Sequence, residues 1–286
     1  MMEWISNGKI MIVGLGLIGG SYARILKRLG YHVSAITRSE SSIQYALENG
    51  IIDRGYTTPD AQALGESDAV IFALYPGVFR DWIAENQHLL KPGAMLTDVT
   101  GVKTCIVYDI QAMLRPDVEF IAAHPMAGRE VYGVENSSAA LFRDANYIVV
   151  PTEKNTPEAI EWCKSLGKLL GFGRVSVLSP EEHDRMIGFV SQLTHCIAVA
   201  LMTCSDNRHL VDYTGDSFRD LTRIARINDA MWSELFLLNK DQLLDQMDIF
   251  MKEFQTLRDL LANEDREGLR EKMRLSTERR GYFDKR

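Results

Sequence analysis

KIMIVGLGLIGGS runs from Lys9 to Ser21 and decides the fold. A short apolar strand leads into a glycine-rich turn, and the turn opens a segment with helical periodicity. Gly14, Gly16 and Gly19 have the G-x-G-x-x-G spacing. The first glycine permits a tight turn, the second lets a pyrophosphate approach the backbone, and the third lets the helix pack on the sheet. In this strand–turn–helix context the spacing predicts a dinucleotide-binding Rossmann domain.

Further apolar runs alternate with helical segments through the first half of the chain. This alternation predicts an α/β fold, a doubly wound parallel sheet with helices on both faces. At Ser179, SPEEHD marks a helix start, with serine at the cap and acids near the positive end of the helix dipole. No convincing strand follows, so we predict an α/β domain over residues 1–178 and an all-α domain over 179–286. The predicted strands are 9–14, 32–36, 69–74, 94–99, 119–123, 146–150 and 174–178.

Composition and charge exclude several classes of protein. Apolar residues make up 46% and charged residues 25%, as in soluble globular proteins. A net charge of −7 without a basic block argues against a nucleic-acid partner. None of the four cysteines forms a C-x-x-C pair, and we expect no metal site. No signal peptide is visible at the N-terminus, so we expect reduced thiols and a cytoplasmic location.

Two apolar segments in the second half need a packing partner. Residues 186–205 contain no Asp, Glu, Lys or Arg, but six polar side chains argue against a membrane span. We expect a helix buried on most sides, central to a domain or a dimer. A later stripe predicts a helix that buries against another helix, within the domain or in a second subunit. The stripe comprises Leu243, Met247, Phe250, Phe254, Leu257 and Leu261.

The end of the second strand bears on which dinucleotide binds. Sites that prefer NAD usually carry an acid there, which would repel a 2′-phosphate. This chain has Thr37, Arg38 and Ser39, and an arginine with nearby hydroxyls can bind a phosphate. We therefore favour NADP, although Glu40 keeps NAD open. The residues expected to bind the cofactor are Gly14, Gly16, Leu17, Ile18, Gly19, Thr37, Arg38, Ser39, Tyr75 and Pro76.

Ligands in a doubly wound sheet sit beyond the carboxyl ends of the strands. The fourth predicted strand leads to Asp98, Thr100 and Lys103, and the fifth delivers His124 at its tip. A neutral histidine there can take the hydroxyl proton of an alcohol that gives up hydride. The alternative is a histidine that only caps the strand through a backbone hydrogen bond.

Candidate substrate-binding residues lie in the helical half. His195 falls in the charge-free helix, where a satisfied core histidine is the alternative. Arg223 follows Asp220 by three residues, so the two can touch on one helix face. Arginine can grip a carboxylate through two hydrogen bonds, although a solvated, salt-bridged helix face is an equally good interpretation.

Five blocks in this order resemble the prephenate dehydrogenases and their arogenate-using relatives. They are GLGLIGGS, LTDVTGVK, HPMAGRE, SQLTHCIAVAL and FRDLTRIA…MW, and together they span nearly the whole chain. The resemblance implies a Rossmann domain followed by a helical domain that builds a homodimer. The implied reaction is oxidative decarboxylation of prephenate to 4-hydroxyphenylpyruvate, with reduction of NAD(P)+.

The resemblance also implies roles for individual residues. His124 corresponds to the catalytic histidine, His195 to a substrate-binding histidine and Arg223 to the arginine that holds a substrate carboxylate. Asp220 and Trp232 correspond to supporting residues, and Glu130 to an acid that helps to gate or order the site.

One position departs from the family. Gly101 stands where the family commonly has a serine that contacts the substrate or the catalytic histidine. The contact that the serine makes is replaced by the hydroxyl of Thr100 or by a water, or it is absent. Thr100 is therefore a second catalytic candidate. Arogenate dehydrogenase, a β-hydroxyacid dehydrogenase and a cofactor-binding sensor without catalysis are the competing interpretations.

Overall fold

The computed structural model describes residues 8–129 and 131–283. A six-stranded parallel sheet lies at the centre of its α/β region. Its strand order is β3-β2-β1-β4-β5-β6, and every neighbouring pair is parallel. The predicted doubly wound α/β fold is therefore confirmed. The strands are β1 (Lys9–Val13), β2 (His32–Ile36), β3 (Arg54–Tyr56), β4 (Ala69–Phe72), β5 (Met95–Asp98), β6 (Glu119–Phe120), β7 (Ala122–Met126), β8 (Asn146–Val150) and β9 (Arg174–Val177).

Helices cover both faces of this sheet, because alternate residues of its strands point to opposite sides. In β1, Ile10 and Ile12 join one buried apolar cluster, whereas Met11 and Val13 join the other. The helices are α1 (Leu17–Arg28), α2 (Glu40–Glu48), α3 (Ala61–Glu66), α4 (Pro76–Asn86), α5 (Thr104–Met113), α6 (Pro157–Leu169), α7 (Pro180–Ile187), α8 (Thr194–Thr203), α9 (Asp216–Thr222), α10 (Asp229–Leu238), α11 (Lys240–Ala262) and α12 (Arg266–Gly281).

The predicted strand over 119–123 is wrong as a single element. The chain forms β6, which extends the large sheet, and then β7, which pairs with β8 in a separate three-stranded sheet of order β7-β8-β9. The β7–β8 pair is antiparallel. His124 consequently lies within β7 and not at a strand tip. Pro125 is tolerated beside it because β7 is an outer strand of this small sheet.

The predicted helix start at Ser179 is confirmed. The Ser179 side chain accepts a hydrogen bond from the Glu182 backbone N–H, and the Glu182 carboxylate accepts one from the Ser179 N–H. These two bonds form a capping box. Beyond β9 the described part of the chain contains no further strand.

The chain divides into two compact units, Met1–Asn239 and Lys240–Arg286. In the first unit, α7, a π-helical segment (Gly188–Leu193) and α8 form one helical run, Pro180–Thr203, which by length and composition alone could cross a membrane. Only 28% of its most apolar stretch is buried. The burial on most sides that we predicted is not reached within one chain, and burial in a dimer stays a prediction.

The second unit contains α11 and α12. Helix α12 packs against the side of α11 that carries Glu253, whose carboxylate lies 2.6 Å from Lys272 Nζ. The predicted apolar stripe of α11 lies on another side. Within the chain, Phe254 and Leu261 of this stripe are 64% and 68% exposed.

Candidate active site

The glycine-rich turn after β1 has the geometry that a dinucleotide needs. Gly14 has a φ of +98°, and a Cβ there would lie 2.2 Å from the Ala73 carbonyl oxygen. A Cβ at Gly19 would lie 2.0 Å from the Gly14 oxygen, whereas Gly16 faces open space. Helix α1 begins without a side-chain cap and without an acid in its first turn. Its N-terminal amides are therefore available to a pyrophosphate.

The residues that follow β2 lie beside this turn. Gly14 N donates to Ile36 O at 2.8 Å, which places Thr37 next to the turn. Arg38 is exposed. Ser39 caps α2, and its hydroxyl lies 2.9 Å from the hydroxyls of both Ser41 and Ser42. Three clustered hydroxyls and the exposed Arg38 thus follow directly after the strand that neighbours the turn.

The end of β4 forms the opposite side of the same turn, because β4 is the other neighbour of β1. Tyr75 is 45% exposed and precedes α4, whose first residue is the buried Pro76. The residues that the sequence assigned to the cofactor thus follow the ends of three neighbouring strands, β2, β1 and β4.

A hydrogen-bonded chain of three side chains starts at His124. His124 Nδ1 lies 2.9 Å from His183 Nε2, and His183 Nδ1 lies 2.7 Å from Asp184 Oδ1. Asp184 also accepts hydrogen bonds from the backbone N–H groups of Lys103 and Thr104, both at 2.8 Å. The carboxylate thereby caps α5 and holds the two imidazoles in line.

These contacts determine where the protons lie. Burial acts to raise the pKa of Asp184, but the hydrogen bonds from His183 and Thr104 outweigh it and lower that pKa. The ionised carboxylate therefore accepts a hydrogen bond from the Nδ1–H of His183. Burial lowers the pKa of His183, whose neutral Nε2 then accepts from His124 Nδ1. His124 Nε2 is left unprotonated. Burial, followed by the neighbouring His183 ring and the positive charge of Lys103, holds the pKa of His124 well below its usual value.

A second, fully buried network fixes the backbone beside His124. Lys103 Nζ lies 2.7 Å from Asp98 Oδ2 and donates to Ala123 O at 2.6 Å. Asp98 Oδ1 accepts from Ala123 N at 3.1 Å. Thr100 donates its hydroxyl hydrogen to Asp98 and accepts from Lys103 Nζ at 3.2 Å. Thr100 therefore acts here as a positioning residue in this network, in contrast to the expected contact with reacting atoms.

Gly101 borders His124 directly. A Cβ at Gly101 would lie 4.0 Å from His124 Cε1 and 3.6 Å from both δ-methyl groups of Leu235. These are ordinary contact distances. A small side chain would fit here, and the chain leaves this volume open.

The helical residues His195 and Trp232 form a stacked pair. Their ring centroids are 3.7 Å apart at an interplanar angle of 30°. His195 Nδ1 donates to the Ser191 carbonyl at 2.9 Å, and Ser191 belongs to the π-helical segment. Segments of this kind are frequent at functional sites. The pair gives His195 a fixed ring orientation.

The remaining predicted residues are on the surface of the helical region. Asp220 lies in α9, and Arg223 begins the 3-10 turn that follows it. Both side chains are exposed. Glu130 lies outside the described residues.

Comparison with known proteins identifies the family. Residues 22–177 match the nucleotide-binding domain of prephenate dehydrogenase, and residues 179–275 match its dimerization domain. The chain belongs to the prephenate dehydrogenase family. Prephenate dehydrogenase of Bacillus subtilis (strain 168) is 32% identical over 268 residues, which cover 91% of this chain and 72% of that protein.

Two solved structures share the fold of this family member over nearly the whole chain. One is prephenate dehydrogenase from A. aeolicus in complex with hydroxyphenyl propionate and NAD+, which is 31% identical with a TM-score of 0.88. The match covers 99% of this chain and 100% of that protein's chain. Synechocystis arogenate dehydrogenase is 25% identical with a TM-score of 0.82, with coverages of 96% and 100%.

Sequence reasoning missed His183 and Asp184. The segment SPEEHD was interpreted only as a helix start, which accounts for its serine, proline and acids. A histidine followed by an aspartate in the first turns of a helix beside a predicted site was the available signal. The distance of 59 residues between His124 and His183 concealed it.

Proposed function

We propose that this chain is a prephenate dehydrogenase, which converts prephenate to 4-hydroxyphenylpyruvate and carbon dioxide with hydride transfer to NAD(P)+. One observation carries the proposal: the His124–His183–Asp184 chain leaves an unprotonated imidazole nitrogen at the carboxyl edge of a dinucleotide-binding sheet. An alcohol that gives up hydride needs a proton acceptor in that place. Membership of the family supplies the substrate class.

The residues present can perform the proton chemistry. His124 Nε2 takes the proton of the ring C4 hydroxyl as the C4 hydride leaves, and the bound nicotinamide supplies the hydride acceptor. The C4 oxygen then forms a ketone. Loss of the ring carboxylate as carbon dioxide returns an electron pair to the ring, and the resulting phenolate regains its proton from His124. The Asp184 carboxylate stabilises the transient imidazolium through His183.

Aromatisation of the ring drives this sequence, so the protein mainly positions the reactants. The Asp98–Lys103 pair supports this role, because it holds both the N–H and the carbonyl of Ala123, the residue before His124. We assign His195 and Arg223 to the substrate side chain and its carboxylate, with Trp232 behind His195 and Asp220 beside Arg223. Glu130 remains a proposed contributor to the order of the site.

We favour NADP over NAD as the cofactor. The exposed Arg38 and the hydroxyl cluster of Ser39, Ser41 and Ser42 support this choice, since together they suit a 2′-phosphate. Arg38→Ala should weaken NADP+ binding while leaving NAD+ binding nearly unchanged, because only NADP+ carries the phosphate. Titration of each dinucleotide by intrinsic fluorescence measures both affinities. An undiminished preference for NADP+ in Arg38→Ala would remove Arg38 from the phosphate site.

We further propose that residues 1–178 form the cofactor domain and that residues 179–286 form the substrate and dimerisation domain. The separate matches over 22–177 and 179–275 support this division. The exposed apolar side chains Phe189, Phe254 and Leu261 support a homodimer built by the helical domain. Free thiols at all four cysteines are consistent with a cytoplasmic location.

A spectrophotometric assay tests the function. Formation of NADPH or NADH is followed with prephenate and, separately, with arogenate, whose side chain is an amino acid in place of the pyruvyl group. We expect turnover of prephenate, and a strong preference for arogenate would reassign the substrate within the family. No turnover of either would refute the proposal.

The variant His124→Asn tests the role of the base in the same assay. Asparagine keeps an N–H for His183 but cannot accept a proton near neutral pH. We expect turnover to fall by roughly 10²–10⁴-fold, the usual contribution of a general base, while dinucleotide affinity is retained. Wild-type turnover in His124→Asn would show that His124 is structural.

A further inference from the structure

Helix α10 contacts the proposed cofactor side of the site through polar groups. Glu234 Oε1 accepts a hydrogen bond from the Gly77 backbone N–H at 3.1 Å, across 157 residues of sequence. Asn228, which caps α10, lies 3.5 Å from the Tyr75 hydroxyl through its Nδ2. Gly77 belongs to the first turn of α4, directly after Tyr75 and Pro76, where we place the dinucleotide.

The start of α4 lacks a polar partner of its own. The first N–H groups of a helix have no acceptor within the helix. Tyr75 precedes α4 without a capping hydrogen bond from its side chain, and the first turn contains no acid. The Glu234 carboxylate supplies both an acceptor and a negative charge at the positive end of the helix dipole. It therefore joins the start of α4 to α10, directly beside Tyr75 and Pro76.

The same helix contacts the proposed substrate side. Trp232, two residues before Glu234, stacks on His195. Leu235, one residue after Glu234, lies against Gly101 beside His124. Three nearby positions of α10 thus contact different parts of the proposed site: Trp232 contacts His195, Glu234 contacts the start of α4, and Leu235 lies against Gly101.

Helix α10 is held more firmly at its end than along its first turns. Asn239 donates to Asp184 O at 2.9 Å and to Gln192 Oε1 at 2.7 Å, and Gln192 Nε2 donates to Leu235 O at 2.9 Å. None of the ten residues of α10 is buried within the chain. A helix of this length is marginal without neighbours, so specific contacts such as the Glu234–Gly77 bond determine its position.

We propose that Glu234 is a positioning residue that couples the dinucleotide and substrate sites through α10. A bound dinucleotide orders the start of α4, from Tyr75 to Gly77, and Glu234 transmits that order to the helix that carries Trp232 against His195. The substrate then binds more tightly to the dinucleotide complex than to the free protein, and by linkage the converse also holds. The proposal rests on the proposed function for the identity of the two ligands.

Hydrogen–deuterium exchange of α10 on addition of NADP+, repeated with NAD+, tests the coupling without any turnover. In the wild-type protein we expect the amides of residues 229–238 to exchange several-fold more slowly with dinucleotide bound. Glu234→Ala should bind the dinucleotide but lose this protection. Glu234→Gln should keep it, because the amide oxygen still accepts from Gly77. Ser233→Ala is the matched control on the exposed side of the same helix.

A second readout uses hydroxyphenyl propionate as the substrate-side probe, titrated by calorimetry with and without saturating dinucleotide. We expect the dinucleotide to tighten binding of this probe at least about fivefold in the wild type, as coupled sites typically do. The ratio should fall towards one in Glu234→Ala and be retained in Glu234→Gln. Thermal unfolding checks that all variants remain folded.

Two results would overturn the coupling. The first is that hydrogen exchange in α10 of the wild-type protein does not change when the dinucleotide binds. The second is a folded Glu234→Ala protein whose α10 protection and affinity ratio both equal those of the wild type. Failure of the proposed function looks different. A protein that turns over neither prephenate nor arogenate, yet protects α10 on dinucleotide binding, would lose the functional assignment and keep the coupling.

Discussion

At the scale of single residues, His124 matters because its two ring nitrogens differ in protonation. Nδ1 donates to His183, which leaves Nε2 unprotonated for the proton-acceptor role that we propose. The buried lysine at position 103 disfavours the protonated ring, while Asp184 stands behind His183 to stabilise it once the proton has arrived. The resting state is therefore neutral, and the charged state is transient.

This arrangement predicts the pH dependence of catalysis. The pKa of His124 is lowered well below 6.5, so the base is already unprotonated at neutral pH. The ratio kcat/KM should stay level as the pH falls from neutral and should decline only once the pH passes through that lowered pKa. A pH–rate profile at saturating dinucleotide measures the midpoint, with thermal unfolding at each pH as the control. An acid midpoint at 6.5 or above would contradict the assigned protonation.

The sequence anticipated part of this site and missed part of it. His124 could be predicted as a candidate because it follows a strand of the Rossmann sheet at the carboxyl edge, although its place within β7 could not. Thr100 was expected near the reacting atoms because it adjoins Gly101, but a hydroxyl's partners depend on side-chain packing that spacing does not reveal. His183 and Asp184 approach the site only because α7 packs near α5. The His-Asp pair is visible in the sequence, but the tertiary contact that brings it to His124 is not.

At the scale of elements, the strand–turn–helix unit was the most predictable part. The three glycines have different surroundings in the structure, which correspond to different functions. Gly19 allows α1 to approach the Gly14 carbonyl, and Gly16 leaves open space for a phosphate. By contrast, β3 contains a glycine and only three residues, so it carries no apolar pattern that could have predicted it. The break at Ile121 escaped prediction because the backbone of β7 takes its partners from Asp98 and β8, which are distant in the sequence.

The two glycines make a matched pair of variants. Gly19→Ala places a methyl group 2.0 Å from a backbone oxygen, so α1 must shift from the sheet, and we expect a loss of roughly 1–3 kcal/mol of stability. Gly16→Ala meets no atom within 4 Å and should keep its free energy of unfolding, but its methyl group obstructs the pyrophosphate and weakens dinucleotide binding. Urea unfolding and dinucleotide titration measure the two effects. Equal losses of stability in both variants would contradict the separation.

At the scale of the whole molecule, the apolar surface of the helical domain is larger than a single chain can bury. Helix α12 occupies one side of α11. On another side the stripe begins at the buried Leu243 and is exposed at Phe250, Phe254, Leu257 and Leu261. The periodicity correctly predicted an apolar face, but periodicity does not say which partner covers it. The match of residues 179–275 to a dimerization domain favours a second copy of the chain.

This interpretation predicts the effect of a charge in the stripe. Phe254→Glu places a carboxylate at a position that is 64% exposed in one chain and buried in the proposed dimer. An unpaired charge is costly to bury, so we expect the dimer to dissociate while the helical content of the monomer is retained. Lys252→Gln, on the opposite face of α11, changes the net charge by the same amount and should leave the dimer intact. Sedimentation velocity across a range of protein concentrations measures both. Dissociation of both variants would point to net charge as the cause, and a stable Phe254→Glu dimer would place the interface elsewhere on the helical domain.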